Sequence, residues 1–556
     1  MTPPSPEAPP DERPRLASYP AGTDPDPVLR HACLAEAWDA RVARAPHRVL
    51  VRYFDGALTA AQVDAASDAL AAALQDRGVD RGDRVAIHLQ SVPHYLVILL
   101  ALWKTGAIGV PLNPMYRGRE LRRLVDDCRP VGVFAAHTDA AGTTAALAGS
   151  SVAWGIGVND RDWQTRNDDR VAWGAASSEL ADLSALVAQY AGHRPRRPAV
   201  GADDTALICY TSGTTGPPKG ALNSHGNVLH SAANFGAWVR LGPDDVVLGI
   251  APLFHISGVI LNAATAVLND AALVLVGRYR PEVVLDAFAE HGVTFTLGSI
   301  TAFNALMALE HAGADHLRHV RLLYSGGAPV PPATVEAFQQ RFGHYLHNVW
   351  GMTETTAGGI AVPPGRRARL HAADGTLSVG VPTPGVLVRV VDAEGTGLPC
   401  GTAGELEVSA PQVVSGYWEK PDSSAAALPR GRLRTGDVAV LDPDGWVYLV
   451  DRLKDQINTS GYKVWPREVE DALYEHPAVF EAAVVGEPDA YRGEAVVAHV
   501  SLKPGATTTA DELHAFVRDR LAAYKRPRRI HLVGELPKTA TGKIRREELR
   551  KRDRAL

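Results

Sequence analysis

Apolar and polar positions in the first half of the chain follow two periods, one typical of helices and one typical of strands. Thr59 is placed to cap a helix over Ala60–Arg77. A strand is predicted over Arg84–Leu89 and an apolar helix over Val92–Thr105. Because helical and strand patterns keep alternating through residues 31–323, we predict an α/β fold with layered, largely parallel sheets.

Past residue 380 the pattern changes to short, β-rich pieces. Strands are predicted at Leu387–Val391 and Gly404–Val408, and within Val438–Val450. Turn residues such as Asp442–Gly445 separate them. This spacing predicts an antiparallel, β-barrel-like subdomain attached to the layered sheets.

A last module begins near Lys454. A helix should open at Pro466, where proline occupies an early position. Strands are predicted at Ala482–Val485 and Val496–Val500, and Asp511 is expected to cap another helix. These elements predict a small α+β domain.

The chain is therefore divided into a large N-terminal domain, residues 31–453, and a C-terminal domain, residues 454–556. Residues 1–30 are Pro-rich and acidic, without the basic and apolar regions of a signal peptide, and are expected to be a disordered lead-in. Residues 139–198 are rich in Ala and Gly and give no clear order of elements.

Composition narrows the class of protein. With 46% apolar and 21% charged residues, the chain of 556 residues is typical of a globular protein, and its net charge of −5 gives no nucleic-acid signal. The four cysteines form no C-x-x-C pair, which favours a reducing, cytoplasmic compartment and argues against a zinc site. The longest apolar run, Tyr95–Trp103, is too short to span a bilayer, so no transmembrane segment is predicted.

The most informative segment is the loop from Tyr210 to Gly220, which reads YTSGTTGPPKG after a predicted buried strand. Hydroxyls, glycines and one lysine in such a loop suit the binding of a polyphosphate. A Walker A loop would need Gly before the lysine and Ser or Thr after it, but Pro218 and Gly220 flank Lys219. The loop is therefore a phosphate loop of another kind, with a flexible surface turn as the alternative.

With several further motifs in the right order, the chain resembles the adenylate-forming enzymes, which include acyl-CoA synthetases, adenylation domains and luciferases. The motifs are Ser325–Pro329, Asn348–Thr355, Arg434–Asp437, Asp451–Asp455 and Pro537–Arg545. The resemblance covers almost all of the chain after about residue 30. It implies activation of a carboxylic acid by ATP to acyl-AMP, followed by transfer to a thiol.

The resemblance also assigns residues to the nucleotide. Thr353 would hold the α-phosphate and Glu354 would bind Mg²⁺, while Trp350 would offer a flat face to the base and Asp437 and Arg452 would bind the ribose. The ATP- and AMP-binding residues so implied are Thr211, Ser212, Gly213, Thr214, Thr215, Gly216, Lys219, Gly326, Gly327, Ala328, Pro329, Asn348, Trp350, Gly351, Met352, Thr353, Asp437 and Arg452.

Lys543 resembles the family's catalytic lysine, which would bridge the attacking carboxylate and the α-phosphate. In the family the small domain is mobile and swings about a hinge, here Lys454, to bring in a CoA-binding segment. The residues implied for CoA are Ser460, Gly461 and Lys463.

His255 matches a family segment that lines the acid pocket, with a hydrogen-bonded core histidine as the alternative. The implied pocket residues are His255, Ile256, Gly258, Val259, Ser299 and Ala357. They are mostly small or apolar, which favours a hydrophobic acid over an amino acid. Val259 stands where some long-chain enzymes of the family carry a gating Trp.

Because Ser460–Glu470 resembles bacterial fatty-acid–CoA ligases, a fatty acid is the leading substrate, and an aryl or cyclic acid stays open. A separate carrier protein as acyl acceptor, a homodimer and a catalytically silent acyl-binding protein also stay open. The expected co-substrates are ATP and CoA, with Mg²⁺ as the metal.

Overall fold

The computed structural model describes residues 14–171, 180–211, 218–373, 375–460, 462–489, 491–539 and 542–552. Its interior falls into two main packed bodies. The larger core is built from buried residues between Leu34 and Val450, and a separate core takes its buried residues from Ile457 to Ile530. The change of core coincides with the short 3-10 turn Leu453–Asp455. These cores support a division near Lys454, whose bounds at 453 and 454 remain a prediction.

The strands are numbered in chain order. They are β1 (Val49–Tyr53), β2 (Gly56–Thr59), β3 (Arg84–His88), β4 (Ile108–Pro111), β5 (Gly132–Ala136), β6 (Trp154–Val158), β7 (Ala181–Asp182), β8 (Thr205–Tyr210), β9 (Gly220–Ser224), β10 (Val246–Leu248), β11 (Ala272–Leu275), β12 (Phe295–Gly298), β13 (Leu322–Ser325), β14 (Leu346–Trp350), β15 (Ile360–Ala361), β16 (Val381–Pro382), β17 (Leu387–Val391), β18 (Gly404–Ser409), β19 (Leu433–Leu441), β20 (Val447–Arg452), β21 (Ile457–Thr459), β22 (Tyr462–Val464), β23 (Val479–Asp489), β24 (Gly493–Leu502) and β25 (Arg529–Leu532).

The α-helices are numbered in the same way. They are α1 (Leu34–Arg44), α2 (Ala60–Asp76), α3 (Pro93–Thr105), α4 (Gly118–Cys128), α5 (Ala140–Leu147), α6 (Leu183–Gln189), α7 (His225–Trp238), α8 (Thr265–Leu268), α9 (Pro281–Glu290), α10 (Ile300–Met307), α11 (Pro332–Phe342), α12 (Pro421–Ala427), α13 (Pro466–Tyr474), α14 (Ala510–Arg518) and α15 (Arg546–Arg552).

Two large sheets form the layers of the first body. The seven-stranded sheet has the order β7-β6-β5-β3-β4-β8-β9, and only its β8–β9 pair is antiparallel among the described residues. The nine-stranded sheet has the order β16-β15-β14-β13-β12-β10-β11-β1-β2 and is parallel from β14 through β1. The predicted α/β fold with layered, largely parallel sheets is confirmed.

Two smaller sheets follow. Strands β17 to β20 form a four-stranded antiparallel meander, in which the described strands do not close into a ring. In the second body, β22, β21, β24 and β23 are antiparallel and β25 adds in parallel to β24. The antiparallel subdomain and the small α+β domain are therefore present, the former as an open meander.

Local chemistry explains the best-predicted helices. The Thr59 side chain accepts from the Gln62 backbone, and the Gln62 side chain accepts from the Thr59 backbone, so a full capping box starts α2. Helix α3 begins with Pro93 and ends at Gly106, whose φ of 72° is left-handed. Every residue of α3 is buried, as expected for a mostly apolar helix, and its buried Lys104 is paired with Asp64 and Asp68. The predicted cap at Asp511 is wrong by two residues, because Thr509 makes the capping box of α14.

The N-terminal segment differs from its prediction. Residues 14–30 were expected to be disordered, yet Pro14–Ser18 form a 3-10 turn against the large body. The Tyr19 hydroxyl donates to the Pro382 carbonyl at 2.6 Å, and its ring packs edge-on against Trp238. These anchors outweigh the polar composition from residue 14 onward, whereas residues 1–13 lie outside the described part of the chain.

Residues 139–198, which showed no pattern, supply α5, α6, the edge strand β7 and its neighbour β6. Residues 172–179 of this region are not among those described. No helix of the described residues is long and apolar enough to cross a membrane.

Candidate active site

The end of β14, the middle of β19 and the end of β20 bring three predicted nucleotide residues together. The Trp350 indole N–H donates to Asp437 Oδ2 at 2.9 Å, and Arg452 Nε lies 2.5 Å from Asp437 Oδ1. The pairing of β19 with β20 sets Asp437 directly opposite Arg452. Both oxygens of this buried carboxylate are thus oriented by charge-assisted hydrogen bonds. Trp350, expected to present a flat face to a base, also fixes Asp437 through its N–H.

The loop after β13 runs beside β14. The Gly326 N–H donates to the Gly298 carbonyl at 3.1 Å, and a Cβ at Gly326 would lie 2.8 Å from the Val349 carbonyl oxygen. Only glycine allows this approach, and Gly327 follows with a φ of 81°. Ala328 and Pro329 continue the same loop. Asn348 on β14 has its amide 3.4 Å from the Ser378 carbonyl.

A strained turn holds the residues that follow β14. Thr353–Thr355 form one 3-10 turn, and Thr356 and Ala357 then take φ values of 48° and 80°. Such values cost about 1–3 kcal/mol for each residue other than glycine. Three hydrogen bonds made by Thr356 hold the turn. Its hydroxyl accepts from Asn223 Nδ2 at 3.0 Å and donates to the Gln412 carbonyl at 2.8 Å, and its carbonyl accepts from Ser231 Oγ at 2.6 Å. The position of Glu354 inside this turn is therefore well determined.

Glu354 is buried, and its Oε1 accepts the Tyr417 hydroxyl at 2.7 Å. Among the described residues, no side chain donates a hydrogen bond to Glu354 Oε2. The described residues hold no group of three or more His, Cys, Asp or Glu side chains suited to a metal. One carboxylate oxygen beside a phosphate loop fits Mg²⁺, which is usually held by one or two carboxylates together with substrate phosphates and water.

The base of the phosphate loop is described, and its tip is not. The Thr211 N–H donates to the Lys219 carbonyl at 2.9 Å, and the Lys219 N–H approaches Thr211 Oγ1 at 3.3 Å. The Lys219 ammonium lies 5.1 Å from the centre of the Tyr417 ring. The predicted residues Ser212, Gly213, Thr214, Thr215 and Gly216 lie outside the described residues.

Lys543 comes from the second body on a tight hairpin turn. Its carbonyl accepts from the Thr539 N–H at 2.7 Å, and Gly542 has a φ of 82°. The Thr301 hydroxyl donates to the Gly542 carbonyl at 2.9 Å and fixes this turn on the first body. Burial, and then the neighbouring Arg452 cation, lower the pKa of Lys543 to about 8, while Asp437 acts against them. Lys543 is therefore brought to the Asp437–Arg452 pair.

A small cavity lies beside these groups. Its lining residues are Ile250, Ala251, Pro252, His255, Ser257, Leu297, Gly298, Ser299 and Gly326. His255 Nδ1 is 2.7 Å from the Ser257 hydroxyl, and burial, followed by the Lys543 charge, lowers the pKa of His255 to about 4. A neutral His255 thus shares one cavity with two predicted residues, Ser299 of the acid pocket and Gly326 of the nucleotide site.

Val259, which is expected in the acid pocket, does not line the cavity that holds His255. It follows Gly258 in the π-helical segment Gly258–Ala264 and lines a second, small apolar cavity. That cavity lies between α1, α3 and α8, and its wall includes Trp38, Leu99 and Trp103. Ile256 and Ala357 are buried and, like Gly258, line neither cavity.

Comparison with known families now bears on this geometry. The family model described as AMP-binding enzyme matches residues 38–418, and the model of its C-terminal domain matches residues 468–543. The chain belongs to the AMP-binding enzyme family. Both matched regions contribute to the site, since Glu354 lies in the first and Lys543 in the second.

Individual proteins are similar to the chain over nearly its whole length. The feruloyl-CoA synthase of an Amycolatopsis species is 35% identical, with 93% of this chain and 98% of that protein covered. The long-chain-fatty-acid–CoA ligase of Bacillus subtilis (strain 168) is 32% identical, with 97% and 98% covered. The structure of the anthranilate CoA ligase AuaEII with anthranoyl-AMP aligns with a TM-score of 0.85 at 25% identity, covering 95% of this chain and 99% of that one. This AMP-binding enzyme is an AMP-forming acid–thiol ligase, and ATP, CoA and a small carboxylic acid fit as its substrates.

Two of the predicted CoA residues of this AMP-binding enzyme, Ser460 and Lys463, are exposed. Ser460 has a φ of 53° and donates its N–H to the Arg492 carbonyl at 2.7 Å, and Lys463 is exposed on β22. Gly461 is outside the described residues. Lys454 lies in the turn between the two bodies, where burial lowers its pKa.

Sequence reasoning missed Tyr417 of this AMP-binding enzyme, which contacts both Glu354 and Lys219. The only local signal was Gly416-Tyr417-Trp418 after a predicted strand, and an aromatic pair there is usually core packing. Gly351 and Met352 connect Trp350 to the strained turn. Gly351 is required there, because a Cβ would lie 1.6 Å from the Ala357 carbonyl oxygen.

Proposed function

We propose that this enzyme activates a hydrophobic carboxylic acid with ATP to form acyl-AMP and pyrophosphate, and then transfers the acyl group to CoA with release of AMP. The observation that carries the proposal is the meeting of Lys543, the Asp437–Arg452 pair and the His255 cavity at one place. An acid in the cavity would face the α-phosphate of a nucleotide whose ribose is held by Asp437.

In the first half-reaction a carboxylate oxygen attacks the α-phosphorus, and the bond to pyrophosphate breaks. Lys543, mostly protonated at neutral pH, neutralises charge between the attacking carboxylate and the α-phosphate. Thr353 would hold the same phosphate, and Lys219 with the loop from Thr211 would hold the others. Mg²⁺, when bound by Glu354 and the phosphates, supplies further charge neutralisation. His255, being neutral, would orient the acid without adding a charge.

On the nucleoside side, Asp437 would accept from the ribose hydroxyls while Arg452 and Trp350 keep it in place. The Gly326–Pro329 loop would border the adenine, since its backbone runs closely beside β14. Asn348, Trp350, Gly351 and Met352 would form the other side of the nucleoside pocket.

The second half-reaction needs a different arrangement of the two bodies. Lys543 occupies the site in this structure, and Ser460 and Lys463 lie in an exposed hairpin. We infer that the mobile C-terminal domain swings about Lys454, withdraws Lys543 and brings Ser460, Gly461 and Lys463 to the acyl-AMP. The pantetheine thiol then attacks the acyl carbon and AMP leaves.

A fatty acid is the leading acid. The segment that carries His255 and Ser257 into the first cavity continues directly into Val259, Ala263 and Ala264 on the wall of the second, apolar cavity. An aliphatic chain held at His255 would therefore lie close to a second apolar space. An aryl acid is the second candidate, because the cavity that holds His255 is small. The feruloyl and anthranilate relatives are consistent with this second candidate.

The test is ATP- and CoA-dependent AMP release over a panel of acids, with thioester products identified by mass. The panel pairs aliphatic acids of increasing chain length with benzoate- and cinnamate-type acids. A preference for long aliphatic acids would support the first candidate, and a preference for aryl acids would replace it by the second. Acyl-AMP without CoA consumption would point to a carrier protein as acceptor, and no adenylation of any acid would refute the function.

A further inference from the structure

Tyr417 lies between two groups of the proposed ATP site. Its hydroxyl donates to Glu354 Oε1 at 2.7 Å, and its ring faces the Lys219 ammonium at 5.1 Å from the ring centre. Lys219 and Glu354 are 135 positions apart in sequence and lie on different sheets' loops. One side chain thus contacts the cation of the phosphate loop and the carboxylate proposed to bind the metal.

The backbone around Tyr417 is fixed to both groups. The Leu222 N–H donates to the Gly416 carbonyl at 3.0 Å and the Trp418 N–H to the Gly220 carbonyl at 2.8 Å, so residues 416–418 pair with β9, the strand that leaves the phosphate loop. The Val414 N–H donates to the Glu354 carbonyl at 2.9 Å. Any shift of this segment therefore moves the phosphate loop and the Glu354 turn together.

A role in packing alone explains part of this arrangement. Tyr417 is 9% exposed and packs with Ala221 and Val414. Packing would be satisfied by phenylalanine, however, and does not require a hydroxyl directed at a buried carboxylate.

We propose that Tyr417 is a positioning residue for the proposed ATP site: its hydroxyl fixes Glu354 with Oε2 directed to Mg²⁺, and its ring holds Lys219 beside the phosphates. This inference rests on the proposed function, because it assumes that Glu354 binds the metal. The hydroxyl occupies one carboxylate oxygen and leaves the other for the ion. The ring attracts the ammonium without neutralising it, as a carboxylate in its place would.

The test is metal binding without turnover. Mn²⁺ is titrated, with detection by electron paramagnetic resonance, in the presence of an ATP analogue that has a methylene group between the α- and β-phosphorus atoms. Tyr417→Phe, which keeps the ring, should weaken Mn²⁺ binding about tenfold, the effect expected for loss of a hydrogen bond to a charged group. Tyr417→Leu, which also removes the ring, should in addition weaken binding of the analogue measured without metal.

Tyr448→Phe is the matched control, because Tyr448 is also buried and its hydroxyl donates to the Asp442 carboxylate at 3.1 Å. It should leave Mn²⁺ binding unchanged. Glu354→Gln separates the proposed metal role of Glu354 from the proposed positioning role of Tyr417. If Glu354→Gln and Tyr417→Phe are both defective and their effects are not additive in the double variant, the inference is supported.

Two results would overturn it in distinguishable ways. Normal Mn²⁺ binding in Tyr417→Phe, beside a clear defect in Glu354→Gln, would refute the positioning role alone. Normal Mn²⁺ binding in Glu354→Gln would refute the metal role of Glu354 and the inference with it. Circular dichroism and the melting temperature establish whether each variant is folded. If Tyr417→Leu is not folded, the result for Tyr417→Phe decides the test.

Discussion

Lys543→Ala removes an ammonium group that the structure places beside Arg452 and Asp437 and close enough to His255 to affect its pKa. With a pKa of about 8, Lys543 is about nine-tenths protonated at pH 7, so most molecules carry the charge that adenylation needs. Loss of one preorganised group that stabilises developing charge typically costs about 10²- to 10³-fold in rate. We expect a loss of that size in acyl-AMP formation.

Thioester formation from supplied acyl-AMP should stay within about threefold of the wild-type rate, because Lys543 is withdrawn in the proposed second arrangement. Pyrophosphate exchange into ATP measures the first step, and acyl-CoA formation from synthetic acyl-AMP measures the second. Lys503→Ala is the control, since Lys503 is an exposed lysine of the same body and donates to the Pro477 carbonyl at 2.8 Å.

The pH dependence gives a second, independent readout. The charged form is the active one, so the adenylation rate should fall as pH rises through about 8, and this fall should be absent from Lys543→Ala. Lys543→Arg, which keeps its charge at high pH, should flatten the profile even if its rate is low. Equal loss of both half-reactions in Lys543→Ala, or an unchanged alkaline limb, would refute the assignment.

Three further predictions concern the groups around Lys543. Trp350→Phe keeps an aromatic ring but removes the N–H that donates to the buried Asp437. Calorimetry should show ATP binding about tenfold weaker in this variant. Unchanged affinity would show that Arg452 alone orients Asp437. Gly351→Ala places a Cβ 1.6 Å from the Ala357 carbonyl oxygen and should lower both the melting temperature and the affinity for ATP. Gly358→Ala is the control and should lower neither, because its Cβ would lie 3.5 Å from the nearest atom, on Leu261. Equal melting temperatures of the two variants would contradict the steric reasoning. Arg467 of the second body donates its guanidinium to the Leu449 carbonyl at 2.8 Å, a contact that Arg467→Ala removes. This variant should slow adenylation several-fold more than thioester formation, and equal slowing of the two half-reactions would argue against a contact specific to this arrangement.

The family and the reaction class could be predicted from the sequence because the chemistry is carried by short segments. Glu354, Asp437 and Lys543 each stand in a motif of a few residues, and their roles need those residue types. The acid itself could not be predicted, because it depends on how apolar walls from distant segments close around it. Leu297 and Gly326 share a cavity with His255, for example, although neither lies near it in sequence.

Helices and strands could be predicted from the sequence where their caps, ends and periodicity lie within a short stretch of chain. The Thr59–Gln62 capping box, the Pro93 and Gly106 ends of α3, and the alternation of helices and strands all act within a few residues of chain. Contacts between segments far apart in sequence could be seen only in the folded chain. They are the contacts of Tyr417 with Glu354 and Lys219, the Trp350–Asp437 hydrogen bond, the position of Val259 on the wall of the second cavity, and the hydrogen bond from Tyr19 to Pro382. The physical reason is that capping and periodicity are properties of a short stretch, whereas a buried hydrogen bond forms only where packing brings both partners together.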